Sequence, residues 1–333
     1  MTRFNRLLAL LALAATLPLA AAGAATDRPT PSIGASFDAF WTAAHDQPFE
    51  RQEALWDRLI EQPRQDLYAS VVWETRDYPG WKESKQRTLQ RRFAQYPRVS
   101  DQILAAAKTL ESSAPSKTAQ FRRLFPDAPA RPSIQWVLAP NFDAKSGLLG
   151  DGTPVLAFAV DSLVLEHADM DVLFPHELFH LYHANHAGIE NDGVMPDANL
   201  TLPLFAEGLA TYVSSMLCAG RSDGQLLLQD DLGALPVARL PEVATRFLAD
   251  ADQKAIDPAH PQAFGRWFMG ASSNYQPDLP NRAGYWLGLQ IVREMRHRYS
   301  LQEMASWPPS KAQQETRSAL LTMADPGRAP GAP

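Results

Sequence analysis

The sequence predicts a mostly helical α+β protein, and three features of the chain lead to this prediction. Apolar residues recur at helical spacing through much of the chain, as in the series Phe37, Phe40 and Trp41. Only two short runs, residues 134–138 and 155–160, have the composition of β-strands. With 333 residues and 45% hydrophobic composition, the chain can bury a large core, so we expect a helical layer joined to a small sheet.

The N-terminal segment has the pattern of a secretory signal peptide. Arg3 and Arg6 precede an apolar run at residues 7–19, and small residues follow it at positions 20–25. The apolar run is too short for a membrane-spanning helix. We therefore predict a signal peptide over residues 1–24 and an exported protein, periplasmic or secreted, with no stable membrane span.

Charge and cysteine content exclude several classes of protein. The formal net charge is -6, and the basic stretch at residues 82–92 is typical of a solvated helix face. We therefore expect no nucleic-acid partner. The single cysteine, Cys218, cannot form an intramolecular disulfide, and its helical surroundings predict a small buried apolar residue.

Proline and glycine divide the chain into regions. Helical patterning over residues 36–130 ends in a segment that includes Pro126 and Pro132, and it defines a helical N-terminal region. Residues 131–323 form the second predicted domain, which contains both predicted strands. The Gly- and Pro-rich segment 324–333 is predicted to be a disordered tail.

Two helices joined by a long loop are predicted in the middle of the second domain. The first covers about residues 174–187, with Pro175 in its first turn and Gly188 as its end. The second covers about residues 204–218, and the Gly/Asp/Pro-rich loop 188–203 between them is long enough to have a function. Further helices are predicted around residues 242–249, 282–298 and 313–323.

The first of these helices carries the sequence His176-Glu177-Leu-Phe-His180. On a helix, histidines four residues apart project from the same face, so one zinc ion can bind both imidazoles. Glu177 would lie beside the metal, where a carboxylate can accept a proton from an activated water. Mostly apolar flanking residues would make these polar side chains costly to bury without a metal. The motif therefore predicts one zinc ion per chain and hydrolysis with Glu177 as general base.

A catalytic zinc ion has three protein ligands and one open position, so a third ligand is needed. The best candidate is Glu207, near the start of the second predicted helix. Gly208 and Ala210 are small enough to let this helix approach the first one closely. Alternatively, Glu207 is a first-turn glutamate that the helix dipole favours, with no metal role.

The pattern resembles that of the gluzincin zinc peptidases, in which a second helix after the HExxH helix carries a glutamate ligand. A closer likeness is to a bacterial group of predicted zinc-dependent proteases. The shared motifs are the Glu-Gly-Leu-Ala-Thr-Tyr run at 207–212 and the Tyr-x-x-Gly run at 285–288. The likeness covers about residues 150–300 and does not extend to the helical N-terminal region.

This resemblance implies a zincin-like fold for residues 131–323, with His176, His180 and Glu207 as zinc ligands and Glu177 as the catalytic base. One departure from the pattern matters. Thermolysin-like members have an aspartate four residues after the ligand glutamate, where this chain has Thr211. The residue that orients the histidine ligands from behind therefore stays unassigned.

His186 is a rival third ligand, because its spacing from His180 matches the third histidine of metzincins. Metzincins have a glycine where this chain has His183, and that glycine lets the chain turn back to the metal. On an unbroken helix, His186 would lie about 15 Å along the axis from His176, too far to share a metal. The metzincin pattern therefore requires a helix break at His183. Otherwise, His183 and His186 are polar residues at the helix end.

The sequence also offers candidates for substrate binding. A peptidase needs a donor for the oxyanion that develops on the substrate. We predict Tyr285 for this role, with Tyr212 and His260 as alternatives. The strand at residues 155–160 is either an edge strand along which an extended peptide pairs or a strand of the core.

Together these features favour an exported zinc metallopeptidase that acts on a peptide or protein substrate. Two alternatives would use the same metal site. One is a non-catalytic zinc-stabilised binding protein of the cell envelope, and the other is a metal hydrolase acting on a non-peptide amide. Replacement of Glu177 by Gln separates the enzymes from the binding protein, because only an enzyme has turnover to lose.

Overall fold

Helices form most of the chain, with one small sheet beside them. The computed structural model describes residues 30–74, 79–256, 262–270, 276–325 and 327. Within these ranges the chain has fifteen α-helices and a three-stranded sheet, which confirms the prediction of a mostly helical protein. The predicted signal peptide at residues 1–24 lies outside the described residues, as do His260 and most of the predicted tail at 324–333.

The helical N-terminal region is built around aromatic side chains. Its helices are α1 (Ile33–Ala44), α2 (Phe49–Trp56), α3 (Gln65–Leu67), α4 (Trp81–Phe93) and α5 (Ser100–Leu124), with π-helical turns at Asp57–Glu61 and Tyr68–Val72. The rings of Phe37 and Tyr96 meet edge to face at 5.2 Å, and those of Phe40 and Trp56 at 5.4 Å. The apolar positions at helical spacing thus form the interior of this region.

The sheet has one strand more than the sequence predicts. Its strands are β1 (Ile134–Val137), β2 (Ala144–Leu148) and β3 (Pro154–Ala159), in the order β1-β3-β2. Strand β3 lies in the middle, parallel to β1 and antiparallel to β2. Both of its edges are therefore paired, so the suggestion that residues 155–160 form a free edge for a peptide is wrong.

A buried carboxylate joins the N-terminal helices to the sheet. Asp161 accepts hydrogen bonds from the Tyr96 hydroxyl at 2.9 Å and from the backbone N–H of Ala139 at 2.9 Å. The Nε of Arg92 lies 3.5 Å from the same carboxylate. Burial raises the pKa of Asp161, although the Arg92 charge opposes the rise. Residues from Pro31 onward accordingly form one unit.

The two helices at the centre of this unit are longer than predicted. After α6 (Val160–Leu165), they are α7 (Met170–Ala187) and α8 (Thr201–Leu217). The Asp169 side chain caps α7 by accepting from the N–H of Asp171 at 3.0 Å. Gly188 ends α7 in a left-handed conformation, with φ 69°, as predicted.

Pro175 lies inside α7, so its predicted place in the first turn is wrong. Proline has no N–H to donate to the carbonyl oxygen of Asp171. Cys218, the C-cap of α8, supplies the donor instead, because its Sγ donates to that oxygen at 2.9 Å. Ser214 Oγ also donates to the neighbouring Val172 oxygen at 2.9 Å. Cys218 is therefore a half-buried hydrogen-bond donor and not the buried apolar residue expected.

The remaining helices complete the unit. They are α9 (Asp223–Leu226), α10 (Asp230–Gly233), α11 (Leu240–Asp250), α12 (Gln262–Phe268), α13 (Ala283–Met295), α14 (Leu301–Ala305) and α15 (Pro309–Ala324). Helix α13 packs closely on α8 at Gly208, so that glycine faces α13 and not the first helix as expected. None of the described helices is both apolar and long enough to cross a lipid bilayer.

Candidate metal centre

Helices α7 and α8 bring three predicted ligands to one point. His176 Nε2 lies 3.1 Å from Glu207 Oε2 and 3.1 Å from His180 Nε2. His180 Nε2 and Glu207 Oε2 are 3.4 Å apart. The three side chains are only 11%, 3% and 8% exposed, so water does little to solvate them. Glu207 is well beyond the first turn of α8, which excludes a purely helix-capping role for it.

The three atoms are spaced like ligands of a tetrahedral metal ion. Metal–ligand distances of about 2.0–2.1 Å with tetrahedral angles separate neighbouring ligand atoms by about 3.3 Å. The observed separations of 3.1, 3.1 and 3.4 Å agree with that value. Two imidazoles and one carboxylate are also common zinc ligands. The buried group of His176, His180 and Glu207 could therefore bind a metal ion.

The charges of the group are strongly coupled. Burial alone would raise the pKa of Glu207, but the His180 charge and hydrogen bonds from both histidines hold that pKa well below its usual range. Burial would lower the pKa of His180, yet the carboxylates of Asp192 and Glu207 outweigh it and raise the pKa to about 10. Burial lowers the pKa of His176. The cluster thus binds positive charge, either as a proton or as a metal ion.

Asp192 orients His180 from behind, and sequence reasoning missed it. Its Oδ1 lies 3.2 Å from His180 Nδ1. This is the other ring nitrogen of His180, the one that does not meet His176 and Glu207. Asp192 has a left-handed backbone, φ 56°, and Gly193 follows with φ 85°. A Cβ on Gly193 would lie 2.7 Å from the backbone nitrogen of Pro203. The available signal was the Asn-Asp-Gly turn within the loop that joins α7 and α8.

Glu177 lines the cleft beside the three ligands. Burial raises its pKa well above the usual range, with the charge of Asp192 adding to the rise and that of His180 opposing it. A metal ion in the cluster would lower that pKa again by stabilising the carboxylate. Glu177 is therefore a carboxylate in the same cleft as the group that could bind a metal ion.

Tyr285, predicted as the oxyanion donor, lies in the same cleft but donates to a ligand. Its hydroxyl donates to Glu207 Oε1 at 3.0 Å, and its ring lies at 22° to that of His176, 6.4 Å away. Burial, followed by the Glu207 charge, raises the pKa of Tyr285 well above its usual value, so the hydroxyl stays protonated. Because Oε1 is engaged, Glu207 presents Oε2 alone to the histidines, which favours binding through one oxygen.

Arg282 stands at the start of α13 in an unfavourable conformation. Its φ is 62°, a left-handed backbone that costs a residue with a side chain roughly 1–2 kcal/mol. The guanidinium carbon lies 4.2 Å from the centroid of the Tyr285 ring, a cation–π contact. Sequence reasoning missed this residue, because its only signal was an arginine shortly before the Tyr-x-x-Gly run.

The cleft that contains these residues is small and mostly enclosed, with a volume of about 290 Å³. Its lining includes the carboxylates of Asp143 and Glu166. Its apolar lining comes from Val172 and Leu173 of α7 and from residues 226–228, where α9 ends. A cleft of this size lies at the lower end of the range for ligand pockets, about 300 Å³ and upward. It therefore fits a short segment of substrate beside the metal-binding group.

The other candidates from the sequence lie away from the cluster. Helix α7 continues without a break to Ala187, so the metzincin pattern is wrong, and His186 pairs with Asp127 at 3.3 Å. His183 is fully buried beside Phe179 and not a polar residue at the helix end. Tyr212 packs under the Arg296 guanidinium at 5.9 Å and does not line the cleft, so it is no oxyanion donor.

Comparisons with known proteins add no assignment to this geometry. No protein-family model matches the chain, and neither the curated proteins nor the solved structures include a match. What the site can do therefore has to be argued from its own residues.

Proposed function

We propose that this chain is an exported zinc-dependent peptidase with a zincin-like catalytic region. The observation that carries the proposal is the triangle of His176, His180 and Glu207 with Glu177 beside it. Three protein ligands and a cleft beside them that can supply the fourth are the arrangement of a catalytic zinc site, whereas a structural zinc ion has four protein ligands. The pattern of residues 1–24 supports export, and the resemblance to gluzincins supports the peptidase assignment.

A zinc ion held by these residues would polarise a substrate carbonyl and make a water molecule acidic enough to attack it near neutral pH. Glu177 accepts one proton from the attacking water as its oxygen bonds to the carbonyl carbon. Glu177 then gives this proton to the nitrogen of the scissile bond as the C–N bond breaks. Burial raises the proton affinity of Glu177, which suits the first transfer.

The neighbours of the cluster keep it in this geometry. Asp192 Oδ1 lies 3.2 Å from His180 Nδ1, so it can accept the Nδ1–H when a metal ion replaces the proton on Nε2. Tyr285 holds Oε1 of Glu207 and leaves Oε2 for the metal. These contacts fix both ligands before substrate arrives, as efficient catalysis requires.

Metal analysis of the purified protein without residues 1–24 tests the proposal first. We expect about one zinc per chain in wild type and in His186→Ala, because His186 shares α7 with the ligands but lies outside the cluster. Glu207→Ala should lose the metal. Zinc in none of these proteins after growth with ample metal would overturn the proposal.

Turnover is then measured with a mixed peptide library in wild type and in Glu177→Gln. The amide has nearly the shape of the carboxylate but cannot accept the proton, so we expect retained zinc and peptide cleavage lowered by several orders of magnitude. Equal cleavage by both proteins would remove Glu177 from the reaction. A zinc-loaded wild type with no cleavage of any peptide would favour an envelope binding protein or a hydrolase of non-peptide amides.

A further inference from the structure

We infer that Arg282 binds the substrate oxygen on which negative charge develops, in the place that the sequence predicts for Tyr285. The inference rests on the proposed function, because it assigns a residue within the same cleft. Three observations support it. Arg282 brings a positive charge to the cleft, the Tyr285 hydroxyl is already hydrogen-bonded to Glu207, and Arg282 has an unfavourable backbone conformation.

Arg282 is the one arginine or lysine that lines the cleft among the described residues. No carboxylate in the described part of the chain lies within ion-pair distance of it, although Asp143 and Glu166 line the same cleft. The side chain is half-buried and lines the same cleft as the metal-binding group. A guanidinium has five N–H donors in a rigid fork, and oxygen anions are what it binds best.

The Tyr285 hydroxyl has its single proton directed at Glu207 Oε1. To bind a substrate oxyanion, it would have to leave a buried carboxylate without that donor, which is costly. Arg282 faces no such conflict. The Tyr285 ring instead supports the guanidinium, whose carbon lies 4.2 Å from the ring centroid.

The backbone at Arg282 is held in a conformation that arginine disfavours. It is the N-cap of α13, with φ 62°, and a guanidinium has no acceptor with which to cap the helix N–H groups. Glycine or asparagine would fit this left-handed position more easily. A strained residue whose side chain does no capping, and which lines a cleft beside a metal-binding group, fits a functional role better than a structural one.

In the proposed reaction, charge appears on one atom. As the water oxygen bonds to the carbonyl carbon, the π electrons of the C=O bond move onto the carbonyl oxygen. Arg282 donates hydrogen bonds to that oxygen and stabilises its charge. When the C–N bond breaks, the electron pair re-forms the C=O bond, Glu177 gives its proton to the leaving nitrogen, and a carboxylic acid and an amine are released.

Inorganic phosphate, a tetrahedral oxyanion, is the probe for this role, so no substrate is needed. Phosphate is titrated into the cobalt-substituted protein, whose visible spectrum reports a ligand at the metal. Arg282→Asn removes the charge and suits the left-handed backbone, so it should fold with a melting temperature no lower than that of wild type. We expect its Kd for phosphate to rise about tenfold or more, as loss of a charge-assisted hydrogen bond predicts, and by less in Arg282→Lys.

Arg298→Met is the matched control. It also removes a guanidinium that lies over a tyrosine ring, 5.1 Å from the centroid of Tyr299, but Arg298 does not line the cleft. Its Kd for phosphate should equal that of wild type. An increase of the same size in Arg298→Met would mean that general surface charge, and not Arg282, attracts the anion.

Other outcomes overturn the inference in distinguishable ways. If Arg282→Asn binds phosphate as tightly as wild type, or if the cobalt-loaded wild type shows no response to phosphate, Arg282 does not have this role. If only Tyr285→Phe weakens phosphate binding, the role belongs to the tyrosine. If the wild-type protein takes up no cobalt, the proposed metal site itself is wrong, and the result contradicts the proposed function and not only the role of Arg282.

Discussion

Gly208 and Gly288 meet where α8 and α13 are closest, and neither position has room for a side chain. A Cβ on Gly208 would lie 2.3 Å from the carbonyl carbon of Gly288, and one on Gly288 would lie 2.4 Å from the Leu204 oxygen. Glu207 precedes the first glycine, and Tyr285 lies one turn before the second. The close approach of the two backbones therefore brings the Tyr285 hydroxyl to Glu207, 3.0 Å away.

Replacement of Gly208 by alanine should be strongly destabilising, because the contact is with backbone that cannot rotate away. Overpacking of a tight site costs about 1–3 kcal/mol, and here α13 must also move. We expect the free energy of unfolding in urea to fall by at least that amount. Movement of α13 would also separate Tyr285 from Glu207, so zinc affinity should fall in the protein that still folds.

Gly270→Ala is the control for this prediction. A Cβ at Gly270 would have no atom of the described residues within 4 Å, and the backbone there is not left-handed. Its stability and zinc affinity should match those of wild type. If Gly208→Ala were as stable as Gly270→Ala, the close packing of α8 on α13 would be contradicted.

The sequence predicts the parts of the site that depend on local geometry. His176 and His180 are four residues apart on one helix, so helix geometry alone brings them together. Asp192 and Tyr285 reach the cluster only through a left-handed turn and through the packing of α13, which no spacing in the sequence reveals. The sequence singles out Tyr285 but not its hydrogen bond to Glu207, and Asp is too common a residue type for composition to single out Asp192.

The elements of the fold also divide into those that the local sequence predicts and those that depend on contacts between distant parts of the chain. Apolar periodicity predicts the long helices because their buried faces repeat every turn. Strand β2 has the sequence Ala-Lys-Ser-Gly-Leu, which lacks alternation because an edge strand buries neither face fully. The sequence predicts too late a start for α7 because Pro175 is usual in a first turn, while the Cys218 thiol compensates for it inside the helix.

Asp192→Gly should weaken zinc binding without disturbing the loop. Glycine adopts the left-handed backbone easily, so the variant removes the carboxylate that orients His180 and little else. Loss of such a partner typically costs about 10- to 100-fold in metal affinity. Competition with a chromophoric chelator measures this change.

The control for Asp192 lies in the same loop. The Asp197 side chain is fully exposed and faces Lys254 at 3.6 Å. Asp197→Gly should therefore leave zinc affinity unchanged. Equal weakening in both variants would mean that the general negative charge of the loop, and not the contact with His180, supports the metal.

His183 should make folding stability depend on pH in the acid range. Burial lowers its pKa to about 3, whereas in the unfolded chain it titrates near the ordinary value of about 6.5. Between these values the unfolded state binds a proton that the folded state does not. Stability contributed by neutral His183 is therefore present above pH 6.5 and is lost as pH falls, by up to about 1.4 kcal/mol per unit.

The comparison protein is His183→Leu, which keeps an apolar contact with Phe179 and Phe205 but has no proton to bind. Unfolding in urea is measured from pH 6.5 to 4 with a chelator present, so that metal binding does not contribute. The wild type should lose stability more steeply than the variant. Parallel pH profiles for the two proteins would show that His183 is not kept neutral by burial.

The hydrogen bond from Cys218 to the Asp171 oxygen should matter only because Pro175 has no N–H. Cys218→Ala removes the donor and leaves a helix carbonyl unpaired, which we expect to cost about 1 kcal/mol. In a Pro175→Ala background, the new N–H at position 175 can donate to the same oxygen. The cost of Cys218→Ala should then largely disappear, and urea unfolding of the four proteins of this double-mutant cycle measures the difference.

Ser215→Ala is the control, because the Ser215 hydroxyl donates to the Tyr212 oxygen within its own helix. It should cost the same in both backgrounds. An equal cost of Cys218→Ala with and without Pro175 would show that the thiol does not replace the missing helix donor.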